Sequence, residues 1–131
     1  MRIFSGNSQR INSFILEMLY YQDKRTLSIK MPNLSGANLR GTQLGQTCLR
    51  GTNLRGADLT DTDLRHANLD GADLTEDKLI NTCLQNVVMR GANFTDADLT
   101  GSDIEFIQEM VKDSIFCRTI MPDGSIYNGT I

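Results

Sequence analysis

The chain has no tryptophan, a single histidine, and only 6% aromatic residues among its 131. Rings this sparse suit a narrow interior filled by aliphatic and small side chains. His66 has no second histidine or clustered cysteine to work with, which excludes the usual zinc ligand patterns and a histidine-dependent triad. The three cysteines, Cys48, Cys83 and Cys117, are odd in number and lack metal-ligand spacing. They read as free thiols in a reducing compartment, so a cytoplasmic location is expected. No uninterrupted apolar run is long enough to cross a membrane. The amino-terminal apolar stretch is broken by Asn12, Ser13 and Glu17 and has no clear small-residue cleavage site, so no secretory signal is expected. A phosphate-cradling glycine loop and a nucleophile elbow are also missing. Aromatic and basic residues do not interleave, and Arg40, Arg50 and Arg55 are spread apart, so the sequence does not support direct nucleic-acid binding. No enzyme activity, cofactor, metal or small-molecule substrate is expected.

What the chain does have is a period. From Leu34 to Ile104 every fifth residue is large and apolar, fifteen in succession: twelve leucines joined by Met89, Phe94 and Ile104. Five residues advance an α-helix by roughly 500°, which would spiral the leucines around the whole surface. In a straight strand, an odd spacing sends alternate leucines to opposite faces. Only a backbone that turns a corner within each repeat keeps all fifteen on one side. Two positions before each large residue stands a small one, such as Ala37, Thr42, Ala57 or Thr62, sharing its inward face. The residue immediately before is Asn or Asp in ten of the fifteen repeats and points outward. Two positions after, Gly recurs at Gly36, Gly41, Gly51, Gly56, Gly71, Gly91 and Gly101, with Asp or Asn at many of the others. This is turn chemistry, where left-handed backbone or a local side-chain bond is useful.

The segments Ala37-Asn38-Leu39-Arg40-Gly41, Ala57-Asp58-Leu59-Thr60-Asp61 and Ala72-Asp73-Leu74-Thr75-Glu76 resemble the pentapeptide-repeat family, whose motif reads A(D/N)LXX. The resemblance covers residues 32 to about 106. It implies an all-β solenoid: a right-handed quadrilateral parallel β-helix of about four coils, twenty residues each, with short helical segments at its ends. Coils would stack ~4.8 Å apart, and each buried leucine would contribute roughly 1.5–3 kcal/mol before conformational entropy opposes it. The stretch Cys117 to Gly124 resembles the tail of many cyanobacterial members.

Three regions are expected. Residues 1–31 carry Ile11, Phe14, Ile15, Met18 and Leu19 at helical spacing, predicting an amphipathic cap over about 8–22. Residues 32–106 form the repeat. In 107–131, Glu109 breaks the period, and Phe106, Ile107, Met110, Val111 and Ile115 suggest a short helix laid on the last coil. The period then resumes through Phe116 and Met121 after a two-residue insertion, followed by a turn at Pro122-Asp123-Gly124 and an extended segment from Ser125 to Tyr127.

Charge is uneven: residues 1–57 hold eight basic and two acidic residues, and residues 58–131 hold five and fourteen. A twenty-residue circuit sorts side chains into columns. Arg50, Asp70 and Arg90 alternate in sign in one, and Asp58, Lys78 and Asp98 in another. These six form the candidate interaction surface. Thr42, Thr62, Thr82 and Ser102 make an inward hydroxyl column, and Asp77 stands where alanine belongs, between Ala57 and Ala97. The role expected is a non-enzymatic scaffold or protein-interaction module, monomeric or homodimeric, with a protein partner. The alternative that the resemblance implies is a DNA mimic binding a type II topoisomerase such as gyrase, through Asp58, Asp61, Asp63, Asp70, Asp73, Asp96, Asp98 and Asp103.

Overall fold

The computed structural model describes residues 33–130; the amphipathic segment expected over 8–22 lies outside them. The leucines all point one way because the chain turns every five residues. Each turn closes with a hydrogen bond from the residue three after the leucine back to the leucine carbonyl, as in Ala37 to Leu34 at 3.0 Å and Ala72 to Leu69 at 3.0 Å. All fourteen turn positions from Gly36 to Gly101 have positive φ, seven of them glycine and seven not, including Gln46, His66 and Glu76. The corner is therefore imposed by the stack, not by glycine alone. L-residues pay roughly 1–2 kcal/mol for that conformation.

Asn and Asp recur before the leucine for a local reason. In nine of those ten residues, Oδ1 accepts the N–H two positions on, as in Asn38 to Arg40 at 3.2 Å and Asp73 to Thr75 at 3.0 Å. The side chain thereby satisfies a turn N–H that the ladder leaves free. The tenth, Asp103, instead accepts from the N–H of Leu84.

Successive circuits are joined in parallel with a twenty-residue register: Asn38 bridges Asp58, Asp58 bridges Lys78, and Lys78 bridges Asp98. Each bridge is a single residue, because the next corner arrives before a strand can lengthen. The fold is thus a repeat β-helix with little regular strand. Its interior is continuous: the leucines from Leu34 to Leu99 are wholly buried, and the alanines between them are almost wholly so. Of the inward hydroxyls, Thr42 and Thr47 bond within their own turn, Thr52 and Ser102 have no partner among the described residues, and others reach the backbone of the preceding circuit. Thr62 Oγ1 donates to Leu39 O at 2.8 Å, and Thr82 Oγ1 donates to Leu59 O at 2.8 Å.

The two-residue insertion is real, and the period recovers one repeat earlier than expected. Asn93 bridges Ile115 and Asp98 bridges Ile120, a register of twenty-two, with Val111 and Phe116 fully buried at the leucine positions. Phe116 stacks flat on Phe94, centroids 4.9 Å apart. The expected helix is a single turn, α1 (Gln108–Val111). It does not lie on the coil but forms part of its wall, where Met110 O accepts from Met89 N–H at 2.8 Å. Phe106 and Ile107 are consequently exposed, since the extra residues bow outward. The chain then forms β1 (Thr119–Ile120) and β2 (Ile126–Tyr127), paired antiparallel across the Pro122-Asp123-Gly124 turn.

Candidate interaction surface

The column of Arg50, Asp70 and Arg90 is half as paired as its signs suggest. Arg90 Nη2 lies 2.6 Å from Asp70 Oδ2, and the Arg90 backbone N–H donates to Asp70 Oδ1 at 2.9 Å. Val88 explains the second bond: it stands where Asn or Asp would cap the turn, so Asp70 caps it from the preceding circuit. Arg50 makes no ion pair among the described residues and stays exposed.

In the other column, Asp58, Lys78 and Asp98 are ladder neighbours, yet Lys78 forms no close ion pair among the described residues. The alternation of sign in this column is therefore not an alternation of ion pairs. Each carboxylate is turned to cap its own corner: Asp58 accepts from Thr60 N–H and Asp98 from Thr100 N–H, both at 3.0 Å. Burial raises the Asp58 pKa, but bonds from Thr60 and the charges of Arg40 and Lys78 outweigh it, leaving the carboxyl below the usual range.

Two other ion pairs run diagonally, from an arginine on one circuit to an acid one position further along the next: Arg55 reaches Glu76 at 2.8 Å, and Arg40 lies 3.9 Å from Asp61. Arg40 also lies 3.6 Å from Asp58, two positions short of its column partner. Past the insertion, Arg118 holds Asp96 at 2.6 Å. Arg40 on the first described circuit and Arg55 on the second each face acids of the circuit beside them, whereas Arg50 does not.

Asp77 is 1% exposed. Its Oδ1 accepts from Ala57 N–H at 3.0 Å, while Oδ2 has no partner. Burial pushes its pKa up to about 9, assisted by the negative charge of Asp73 and opposed by the N–H groups of Ala57 and Gly56.

A shallow open groove of ≈ 320 Å³ lies between Gln43, Gly45, Gln46, Asp63, Arg65 and His66. It exists because Gly45 has no side chain in a column otherwise holding Arg65, Gln85 and Glu105. Arg65 is committed to Asp63 at 2.6 Å. Cys48 and Cys83 lie on different ladders, facing Asn68 and Asp63, and both are free thiols, as is Cys117. Among the described residues, no group of three or more His, Cys, Asp or Glu could hold a metal, and no helix is long and apolar enough to cross a membrane.

A twenty-residue parallel register, corners every five residues and an all-inward leucine row define a pentapeptide-repeat solenoid. The chain belongs to this family: the description "Pentapeptide repeats" matches in eight copies over residues 33–76 and 78–105, more than half its length. Among solved structures, Rfr23 from the cyanobacterium Cyanothece 51142 is 26% identical, with 81% of this chain and 71% of that chain covered and a TM-score of 0.55. HetL from Nostoc sp. strain PCC 7120, a pentapeptide-repeat protein involved in heterocyst differentiation regulation, is 28% identical with a TM-score of 0.39. That match covers 76% of this chain and only 57% of HetL. A pentapeptide-repeat protein of the Arabidopsis thaliana thylakoid lumen is 27% identical over 70% of this chain and 69% of that one, TM-score 0.44. No curated protein matches the sequence.

The double duty of Asp70 and the diagonal pairs were missed from sequence. The first had a signal, the Val at position 88 opposite an acid in the neighbouring column; the second had none, because only corner geometry decides which circuit neighbour an exposed side chain reaches.

Proposed function

We propose that this protein is a non-enzymatic protein-interaction module, a right-handed quadrilateral β-helix of about four coils whose outer charges are held in fixed register for a protein partner. The observation that carries the reading is the pair of ladders bearing Arg50, Asp70 and Arg90, and Asp58, Lys78 and Asp98. Asp58, Lys78 and Asp98 are bridged circuit to circuit, and the carbonyls of Asp70 and Arg90 accept from Gly51 and Gly71 of the preceding circuit, so the charges are presented at repeat spacing with little backbone freedom left to lose on binding. Arg50 and Lys78 are the exposed cations of these columns that carry no close internal pair among the described residues. They are therefore the first contacts for an acidic partner surface. The half-buried thiols suit a reducing cytoplasm. Light scattering distinguishes the monomer from the homodimer.

The test is crosslinking and capture from extract with wild type and with Arg50→Glu, Lys78→Glu and Asp98→Lys. Specific partners captured by wild type and lost by the reversals support the surface. Identical background from all four chains removes it.

The gyrase-binding alternative rests on the acidic half. Of the eight acids that would imitate phosphates, Asp58, Asp61, Asp63, Asp70 and Asp96 are paired with arginines, which cancels much of the field such mimicry requires. A supercoiling assay with titrated protein separates the two readings: inhibition or protection at micromolar levels would favour the mimic.

A further inference from the structure

We propose that Asp77 is a proton-held clasp between neighbouring circuits: its carboxyl stays neutral while the stack is closed, does the work of an inward threonine, and loosens the tube when the proton leaves. The inference is independent of any partner.

Four inward hydroxyls set the pattern, although Thr52 and Ser102 make no such bond. Thr62 and Thr82 each donate to the carbonyl of a leucine twenty-three positions earlier. Beyond the insertion, Ser114 donates to Met89 O and Thr119 to Phe94 O, both at 2.7 Å and twenty-five positions back. For Asp77 the equivalent acceptor is the carbonyl of Leu54, which closes the turn to Ala57 at 2.8 Å. Asp77 already touches that turn, since its Oδ1 accepts from the same Ala57 N–H. What its buried Oδ2 lacks is a donor hydrogen to offer. A proton there supplies one and removes a charge that the apolar interior cannot solvate.

Only the backbone N–H groups of Ala57 and Gly56 favour an ionised form, and burial outweighs them. Its column neighbours Ala57 and Ala97 carry no charge, and the Asp73 carboxylate, one repeat back, acts against ionisation. Lys78, next in the chain, is exposed on the outer side.

The sign follows from proton counting. Unfolded, the group titrates near the ordinary aspartate value of 3.8; folded, it is pushed up to about 9. Between those values the native state holds a proton that the unfolded state has released, so stability falls as pH rises and the contribution is gone above the folded value.

The test uses the full chain, with Asp77→Thr and Asp77→Asn alongside wild type. Thermal midpoints of the wild type should fall continuously from about pH 5 to about pH 9, while those of both variants stay flat over that window. An infrared carbonyl band of a protonated carboxylic acid should be present in wild type at neutral pH and absent from Asp77→Asn. A flat wild-type profile, or a carboxylate that is ionised at neutral pH, overturns the proposal. If neither variant folds, the wild-type infrared band decides alone.

Discussion

Asp70 holds Arg90 by two different groups at once: its Oδ2 pairs with the guanidinium at 2.6 Å and its Oδ1 accepts the backbone N–H at 2.9 Å. The carboxylate is almost buried, whereas the arginine side chain is more than half exposed. The two halves of the contact therefore differ in worth. Replacing Arg90 with Ala leaves the N–H bond in place and should cost about 0–1 kcal/mol in urea denaturation. Replacing Asp70 with Ala orphans that N–H in a turn Val88 cannot cap, and should cost about 1–3 kcal/mol. Equal losses from the two variants would refute the assignment.

The corner caps are separable from the core. Asn68 Oδ1 accepts the N–H of Asp70 at 2.9 Å, so Asn68→Ala should lower stability by about 0.5–1.5 kcal/mol. Asn68→Asp keeps the acceptor and should cost little. Chemical denaturation of the three chains compares them, and a loss in Asn68→Asp as large as in Asn68→Ala would mean the amide matters for something other than capping.

Backbone handedness can be tested where sterics are silent. A Cβ at Gly71 would meet nothing within 4 Å, but the residue has a φ of +68°. Gly71→Ala should therefore destabilise by about 1 kcal/mol through conformation alone, and Gly71→Asn by less, because Asn tolerates the left-handed region. Conversely, His66→Gly relieves the same strain at φ 62° and should leave stability unchanged or raised.

Phe116 is fully buried and stacked on Phe94, with Phe106 and Tyr127 edge-on to it at 5.8 and 6.4 Å. Phe116→Ala should cost about 3–5 kcal/mol by opening a cavity at the carboxy-terminal end. Hydrogen exchange should accelerate first at Phe94, Ile115 and the β1–β2 pair, with the circuits nearest Leu34 affected least, because each circuit rests only on its neighbours.

Acid should unfold the protein through a different set of groups from Asp77. Hydrogen bonds from Arg65, Arg118 and Ser125 hold Asp63, Asp96 and Asp123 below the usual carboxylate range, and in Asp58 bonds from Thr60 with nearby cations overcome the opposing effect of burial. A lowered folded value contributes stability above the unfolded pKa and loses it as pH falls through the folded one. Midpoints should thus drop below about pH 4, and high salt should shrink that drop at the exposed pairs.

The leucine row, the small inward residue and the Asn or Asp before each leucine were legible because each is a local consequence of one corner repeated. A five-residue period admits a single way to keep large side chains together, and nine of the ten Asn or Asp residues serve the turn within their own repeat. The short helix expected among Phe106 to Ile115 is present as the single turn Gln108–Val111, but it is built into the wall rather than laid on the coil, for the complementary reason. Val111 and Ile115 have helical spacing, yet Val111 is claimed by the solenoid interior and Ile115 by the ladder to Asn93.

Residue order by itself determined the corner every five positions, the inward row and the twenty-residue columns, since those depend on periodicity and on sterics within a repeat. The tertiary structure decided which charges meet: Asp70 with Arg90 along a column, Arg55 with Glu76 and Arg40 with Asp61 along diagonals, and Lys78 with neither ladder neighbour. An exposed side chain pivots at a corner, and its reach depends on how the next circuit is laid beside it. That placement also leaves Asp77 sealed inside, because a carboxylate on an inward position has no route to water once both adjoining circuits have closed.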